Sequence, residues 1–386
     1  MSASVRAQPE RSPRPFRLRP AELIQLPATT PFLALDLDGV TAAYTELSRA
    51  LPGTAVHFAM KCNPDPRLLE HLRGLGCSFE VASYGELAVL REVGVPAAEV
   101  LCSNPVRERR ETELAFRAGV RTFAFDSPGE LRRLAAYAPG ARVFVRIATT
   151  PAGSKVPSEG KFGVGLQDAV RLMQEAAALG LEPYGIAFHV GSQMLDPGAW
   201  ARAIADCGAL MRELRAHRIG VHMLDLGGGF PARYTEPVPA VAEYADRIRA
   251  ALKSRLPYQV ARTVVEPGRF LVAEAGVLAA SVIGVARRGG AWWAHTDVGV
   301  FNGPMEVLET RYGLPYRISD SRGDRDKRLF HVTGPTCDSQ DTIQYDVPLS
   351  AGLTEGDLVC IETAGAYTTA YSSRFNGFRI PSVYCL

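Results

Sequence analysis

Several residues that could do chemistry lie where apolar runs of the sequence end. They are Lys61 at the end of VHFAMK, His189 in FHVGSQ, the glycines at 227–229, and Glu266 and Arg269 in EPGR. A fixed, partly desolvated lysine can form a Schiff base with an aldehyde. Successive glycines let backbone amides approach an anion such as a phosphate closely. These residue types point to a compound that carries both an aldehyde and an anionic group.

Each of these residues also has an ordinary structural interpretation. Lys61 suits a solvated charge at a strand end, His189 a hydrogen-bonded structural histidine, and the glycines a tight turn. Glu266 and Arg269 would then form a structural ion pair. The combination favours a site, because a phosphate-bearing aldehyde with a ring nitrogen requires all of these parts. Pyridoxal phosphate (PLP) is such a compound.

The elements that must position these residues alternate between apolar runs and helix-like stretches. The eight apolar runs are at 56–61, 79–82, 100–104, 122–126, 142–148, 184–191, 223–230 and 264–270. Between them, Ser83 with Glu86, and Ser127 with Glu130, have the S-x-x-E spacing of a capping box. This alternation predicts an α/β fold with a parallel sheet covered by helices. Eight units fit a (β/α)8 TIM barrel, whose functional residues gather at the carboxyl ends of the strands, and a doubly wound open sheet is the competing architecture.

The pattern changes after residue 269, where β-rich segments replace the helical signals. These segments are at 271–288, 328–335 and 357–367. We predict a tail at 1–30, which could also contribute to the β domain. The tail is followed by a PLP-binding (β/α)8 barrel at 31–268 and by an all-β barrel or sandwich domain at 269–386. The run LALDL at 33–37 could pair with the β domain instead. Residues 1–20 carry five arginines against one acid and are expected to be frayed.

Composition and charge exclude several classes of protein. Hydrophobic residues make up 47% of the 386 residues and charged residues 22%, which is typical of a globular protein. The net charge of +2 and the short apolar runs give no reason to expect a nucleic acid or a membrane as partner. Seven scattered cysteines without CxxC spacing predict reduced thiols in the cytoplasm. No nucleotide-binding glycine motif or metal-ligand spacing is present, so no metal is expected.

Eight short motifs resemble the fold-type III pyridoxal-phosphate decarboxylases, the family of ornithine, lysine and diaminopimelate decarboxylases. The motifs are AMKCN (59–63), KFG (161–163), HVGSQ (189–193), GGGFP (227–231), EPGR (266–269), GPTCDSQD (334–341), GAYT (365–368) and FNGF (375–378). They occur in family order and span nearly the whole chain. GPTCDSQD and GAYT with FNGF are similar to the ornithine/lysine branch, whereas the diaminopimelate branch usually has Glu where Asp338 stands.

The resemblance implies a set of cofactor-binding residues. Lys61 would hold PLP covalently until the α-amine of the substrate displaces it, Glu266 would keep the pyridine nitrogen protonated, and His189 would stack on the ring. The ring would then accept electrons from the carbanion left when carbon dioxide departs. The other residues near the cofactor would be Glu80 and Arg146, with Ser192, Gly228, Gly229, Arg269 and Tyr367 around its phosphate.

The resemblance also implies that two functional side chains come from another subunit. Cys337 would donate a proton to the carbon that lost carbon dioxide, and Asp338 would receive the distal ammonium of the substrate. In this family both reach the site of the partner subunit, so a homodimer would be the catalytic unit. By the same analogy, Lys161 would pair with Asp341 across the interface.

The substrate-binding segment departs from the family pattern. FNGPMEVLET (301–310) replaces the segment in which eukaryotic ornithine decarboxylases carry a Tyr-Asp pair, and the aligned position falls near Glu306 and Val307. Glu306 would either supply the missing carboxylate or face solvent. Phe375, in FNGF, is also predicted to bind the substrate.

The leading hypothesis is a PLP-dependent carboxy-lyase that converts ornithine, lysine or both to a diamine such as putrescine or cadaverine. The departure at 301–310 motivates an alternative, a decarboxylase or racemase that acts on a related diamino acid in specialised metabolism. A third hypothesis is a catalytically dead homologue that acts as a binding protein, as antizyme-inhibitor proteins do. Against it, none of the main cofactor contacts is missing from the sequence.

Overall fold

The computed structural model describes residues 20–23, 25–156 and 160–386. Its strands are β1 Phe32–Leu35, β2 Thr54–Ala59, β3 Ser78–Val81, β4 Leu101–Cys102, β5 Thr122–Phe125, β6 Arg142–Arg146, β7 Ser154–Val156, β8 Glu182–Ala187, β9 Ser192–Met194, β10 Met223–Asp225, β11 Arg262–Val265, β12 Gly276–Arg288, β13 Ala291–Thr296, β14 Ile318–Asp320, β15 Lys327–Thr333, β16 Thr342–Ser350, β17 Leu358–Glu362 and β18 Ser382–Cys385. Residues 1–19 of the predicted tail lie outside the described residues.

The helices cover the barrel strands and connect them. They are α1 Pro20–Leu23, α2 Leu37–Ala50, α3 Pro66–Gly74, α4 Tyr84–Glu92, α5 Arg109–Ala118, α6 Pro128–Tyr137, α7 Leu166–Ala178, α8 Gly198–Ala216, α9 Val241–Arg255, α10 Arg269–Val272 and α11 Glu306–Glu309. Short 3₁₀ turns lie at Met60–Cys62, Ala97–Glu99 and Phe375–Gly377. Within the described part of the chain, no helix combines the length and the apolar composition needed to span a bilayer.

Eight parallel strands form a closed barrel. Their order around the barrel is β10, β11, β2, β3, β4, β5, β6 and β8, and the ring closes where β8 pairs with β10. Each strand comes from one of the eight apolar runs, so the predicted (β/α)8 barrel is confirmed and the open-sheet alternative is wrong. The inside is filled by a separate cluster of side chains, which contains Leu101, Ala124, Phe144, Ala187, Met223 and Val264. A packed interior leaves the strand ends as the place for a ligand.

The two predicted capping boxes form to different extents. The Ser83 hydroxyl accepts the Glu86 amide at 3.3 Å, and the Glu86 carboxylate accepts the amide of Ala82 at 2.6 Å. At the second box, the Ser127 hydroxyl accepts the Glu130 amide at 3.3 Å. The Glu130 carboxylate instead pairs with Arg107 at 2.6 Å, with both side chains almost fully buried. The buried Arg107 therefore pairs with the Glu130 carboxylate, which the sequence pattern predicted to cap the helix.

Strand β1 and strands β12 to β18 build a second, mixed β sheet of eight strands, and β7 and β9 form a separate two-stranded sheet. Its main path runs β14, β17, β12, β13, β15 and β16, and β1 and β18 extend it beside β12. Strand β1 pairs antiparallel with β12, where Leu33 faces Leu278, and parallel with β18, where Leu33 faces Val383. The run at 33–37 thus contributes its strand to the β sheet, although the predicted barrel segment begins at residue 31.

Candidate active site

Two adjoining cavities open at the carboxyl ends of the barrel strands. Their volumes are about 520 and 300 Å³, and Lys61, Glu80, His189 and Glu266 line both. Arg146 lines the smaller cavity, and the larger one contains the remaining predicted cofactor-binding residues: Ser192, Gly228, Gly229, Arg269 and Tyr367. The fold therefore brings together side chains that lie more than 300 residues apart in the sequence.

Lys61 follows strand β2 on a 3₁₀ turn whose neighbouring residues are fixed. Met60, Cys62 and Asn63 are buried, while the Lys61 side chain is exposed in the cavity. The Asn63 amide group donates to the carbonyl of Gly365 at 2.9 Å, and the amide of Tyr367 donates to the carbonyl of Cys62 at 2.9 Å. These hydrogen bonds attach the turn to the β domain, so the backbone is held while the amine stays accessible to an aldehyde.

A cluster of carboxylates lies beside Lys61. Glu80 and Asp225 are buried at the ends of β3 and β10, and Glu266 follows β11. Burial, together with the negative charge of Glu266, raises the pKa of Glu80 and that of Asp225. Both groups therefore favour the protonated form, and the Oδ2 atom of Asp225 has no hydrogen-bond partner. The Ser103 hydroxyl donates to the Glu266 carboxylate, which holds that side chain in place.

Ser103 and Asp225 were missed by the sequence analysis. Each lies within or directly after one of the apolar runs, in VLCSN and MLDLGGGF, which is the same signal that singled out Lys61. Their residue types gave no further reason to select them, because Ser and Asp are common in strand-to-helix turns.

His189 and Arg146 line the smaller cavity together with the carboxylates. Burial lowers the pKa of His189 well below its ordinary value, and the cations Arg146 and Lys61 lower it further. The imidazole is therefore neutral and can present a flat face to an aromatic ring. Burial also lowers the pKa of Arg146, whose guanidinium lies 5.3 Å from the ring centre of Phe162.

The glycine triplet forms a cradle that fits a phosphate. Gly227 and Gly229 have φ angles of 63° and 109°, a region that L side chains rarely adopt. A Cβ atom at Gly228 would overlap the carbonyl oxygen of Glu266, so only glycine allows this close approach. Gly228 and Gly229 also line the larger cavity together with Ser192, so backbone and hydroxyl groups that fit the phosphate of PLP border that space.

Arg269 lies at the edge of this cradle and is paired with Glu306 rather than with Glu266. Its Nη1 atom is 2.7 Å from Oε2 of Glu306, and Nη2 contacts the other carboxylate oxygen. Both side chains are nearly inaccessible, with exposed fractions of 3% and 4%. Glu306 therefore does not face solvent, and its carboxylate is directed at the arginine. Glu309, one helical turn further on, and Tyr371 line the larger cavity, and the sequence analysis missed both.

Cys337, Asp338, Phe375 and Asn376 form a patch on the surface of the β domain, called the exposed patch below. All four are exposed, and the Asn376 side-chain nitrogen lies 3.5 Å from the Cys337 sulfur. The Phe375 ring is 43% exposed and lies 4.8 Å from that of Phe301. Cys337, Asp338 and Phe375 line neither cavity of their own chain. The barrel site and the exposed patch are therefore separate within one chain.

The predicted pair between Lys161 and Asp341 of a partner is wrong. Asp341 is completely buried inside its own chain, where its carboxylate accepts the amides of Val300 at 2.8 Å and Thr336 at 3.0 Å. It anchors the turn that carries Cys337 instead of contacting another chain. Among the residues that the structure describes, no group of three or more His, Cys, Asp or Glu side chains could hold a metal ion.

Comparisons with known proteins agree with this geometry. Residues 37–273 match the family model of the pyridoxal-binding domain of pyridoxal-dependent decarboxylases. The lysine/ornithine decarboxylase of Selenomonas ruminantium is 36% identical over 94% of this chain and 92% of its own length. A crystal structure of SrLDC in complex with PLP and cadaverine superposes with a TM-score of 0.88 at 33% identity, covering 97% of this chain and 95% of that one.

A third relative extends the comparison to another organism. The lysine/ornithine decarboxylase of Vibrio vulnificus, crystallised with putrescine, superposes with a TM-score of 0.86 at 31% identity, covering 95% of this chain and 98% of that one. The likeness covers the barrel and the β domain together. Taken with the family match, it shows that this chain belongs to the pyridoxal-dependent decarboxylases.

Proposed function

We propose that this protein decarboxylates ornithine, lysine or both to the corresponding diamine, with PLP as cofactor. The observation that carries the proposal is the arrangement around Lys61. An accessible amine, a carboxylate cluster and a glycine cradle line two cavities that share a wall. The names of the relatives support ornithine and lysine as substrates, since putrescine and cadaverine occupy the related crystal structures.

Each residue around the cavity has a defined task in this reaction. The bound cofactor supplies a ring that accepts electrons when the carbon dioxide leaves. Lys61 would hold the cofactor through its accessible amine. Glu266, held by Ser103, would stabilise the proton of the ring nitrogen, and the neutral His189 would pack against the ring. Glu80 and Arg146 line the wall beside them.

The exposed patch supplies the remaining chemistry in a homodimer. Cys337 donates the proton that replaces carbon dioxide, and Asp338 binds the distal ammonium of the substrate in the partner's cavity, with Phe375 beside it. The exposure of these side chains supports this arrangement, because in one chain they line neither of the two barrel cavities. An enzyme of this kind with seven free cysteines suits the reducing cytoplasm.

The function is tested by carbon dioxide release from ornithine and from lysine. Replacing Lys61 with alanine should lower kcat at least about 10³-fold, because the covalent attachment is lost. Lys253→Ala, on the exposed last turn of α9, is the matched control and should retain wild-type activity. Equal rates in wild type and Lys61→Ala would refute the assignment, and a PLP-free wild type with no visible absorbance after reconstitution would favour the catalytically dead homologue.

A related diamino acid is the second candidate substrate. The observation that favours it is that Glu306, the carboxylate considered for the distal ammonium, is paired with Arg269 in the larger cavity. A substrate panel read by mass spectrometry would show decarboxylation or racemisation directly. A strong preference for ornithine or lysine would rule this candidate out.

A further inference from the structure

The guanidinium of Arg269 is completely occupied by side chains of its own chain. Its Nε and Nη2 atoms donate to the Ser192 hydroxyl at 3.3 and 3.1 Å, and Nη1 donates to the hydroxyl of Tyr234 at 2.6 Å. The two remaining bonds go to the two carboxylate oxygens of Glu306. Since an arginine has five N–H donors, none is left for a further ligand.

Glu306 holds Arg269 in the geometry that a phosphate would use. Both carboxylate oxygens contact the guanidinium, one on each terminal nitrogen, and arginine binds carboxylate and phosphate in the same two-pronged way. The pair is also nearly inaccessible to water, which strengthens the attraction between the charges. Glu306 therefore occupies the position at Arg269 that the phosphate of a ligand in the larger cavity would take.

The positive charge of Arg269 cannot neutralise both the Glu306 carboxylate and a bound phosphate. A phosphate monoester carries nearly two negative charges near neutral pH, and Arg269 offers one positive charge. Binding the phosphate through Arg269 would require the guanidinium to release one of its present acceptors, and Glu306 is the one whose negative charge repels the phosphate. The larger cavity, about 520 Å³ in volume and lined by Glu306 itself, has room for that side chain to move.

We propose that Glu306 is an internal competitor of the cofactor phosphate for Arg269. The inference rests on the proposed function, because it takes Arg269 as the residue that binds the phosphate. Glu306 stabilises the buried arginine while the site has no phosphate and gives it up when PLP binds. The exchange weakens the binding of PLP and leaves the binding of its non-phosphorylated analogue pyridoxal unchanged.

The test compares PLP with pyridoxal, which shares the aldehyde and ring but lacks the phosphate. The full chain is purified as holoenzyme, the cofactor is removed, and each compound is titrated back while visible absorbance is recorded. Glu306→Gln should tighten PLP binding about tenfold or more and change pyridoxal binding less than about twofold. Glu70→Gln, which removes one negative charge from the exposed face of α3 and lines neither cavity, should change the Kd of PLP less than about twofold.

Thermal denaturation gives a second measurement. Without cofactor, Glu306→Gln should melt below wild type, because the buried arginine loses its partner. Saturating PLP should remove most of that difference, and saturating pyridoxal should not. If the cofactor-free variant does not stay folded, slower release of PLP from its holoenzyme than from wild type gives the same test.

Two results would overturn the inference. One is PLP binding to Glu306→Gln that is equal to or weaker than in wild type, and the other is an equal change for PLP and pyridoxal. Carbon dioxide release is measured on the same preparations. An active wild type with unchanged PLP affinity in the variant refutes only the role of Glu306, whereas an inactive wild type with the expected affinity change refutes only the decarboxylase function.

Discussion

The barrel site and the exposed patch carry chemistry in opposite ways. At the barrel site, the functional side chains form hydrogen bonds and ion pairs within one chain, such as Ser103 with Glu266 and Arg269 with Glu306. In the exposed patch, Cys337 and Asp338 lie on the surface, and Cys337 has a single weak contact to Asn376 among the described hydrogen bonds. One region is enclosed by a single chain, and the other is open to solvent in that chain.

This difference predicts how substitutions in each region affect stability and catalysis. A buried polar network loses stability when one partner is removed, because the other is left desolvated and unpaired. An exposed side chain loses little stability when replaced, because water solvates what remains. Substitutions at the barrel site should therefore affect cofactor binding and folding together, while substitutions in the exposed patch should affect catalysis alone.

The largest effect that separates the two regions is expected for Cys337→Ala. Loss of the proton donor should lower kcat about 10²- to 10⁴-fold, while the Kd of PLP stays within about twofold of wild type. Steady-state kinetics and absorbance titration measure the two quantities. Ser339→Ala, exposed in the same turn, is the matched control.

Mixing the Cys337→Ala and Lys61→Ala chains tests whether the patch acts in the partner's cavity. In a shared-site dimer, half of the dimers formed at random would contain one intact site of two, so activity should return to about one quarter of wild type. If the mixture stays inactive, the patch does not complete the site of another subunit.

The next effect concerns the buried carboxylate beneath the patch. Asp341→Asn should lower the free energy of unfolding by about 1–3 kcal/mol, because the amides of Val300 and Thr336 lose a charged acceptor in a fully buried position. Asp338→Asn, three residues away and exposed, should change it by less than about 0.5 kcal/mol. Urea denaturation of both variants checks this, and equal losses would contradict the contrast between buried and exposed.

The smallest expected effect is a change in pH dependence at the barrel site. Burial and the charge of Glu266 raise the pKa of Glu80 from 4.5 to about 8. Between those values the folded chain keeps a proton that the unfolded chain has lost, so the free energy of unfolding of the cofactor-free protein falls as pH rises through this range. Glu80→Gln should remove that slope, which is at most about 1.4 kcal/mol for each pH unit over which only the folded chain keeps the proton.

Urea denaturation at about pH 5 and about pH 8 measures this slope. The control is Glu70→Gln on α3, where the side chain is exposed and the slope should match wild type. An unchanged slope in Glu80→Gln would show that the carboxyl group does not keep its proton in the folded state.

Much of the scaffold could be predicted because its signals are local. Apolar runs at regular spacing gave all eight barrel strands, and Ser83 and Ser127 cap the helices that their spacing indicated. The positions of Lys61 and Glu266 at strand ends follow from the same alternation. The partners of these residues could not be predicted, because Ser103 meets Glu266 across 163 positions and no periodicity links them.

The errors have the same physical origin. For Glu306, exposure to solvent was one of two expectations, and Asp341 was expected to face a partner chain. Both are buried, since each lies next to groups that need an anion: the Arg269 guanidinium and the amides of Val300 and Thr336. A buried cation or amide pairs with the acceptor that the fold places next to it. The identity of that acceptor cannot be predicted from the sequence.

The sequence by itself determined the alternation of strands and helices, the glycines that only a crowded backbone requires, and the residue types at the strand ends. Periodicity and steric restriction act over a few residues, so their effects can be predicted from the sequence alone. The tertiary structure alone decided which charges neutralise one another and which reactive groups stay accessible. Those outcomes depend on desolvation and on distances between elements far apart in the chain, which exist only after the barrel has closed against the β domain.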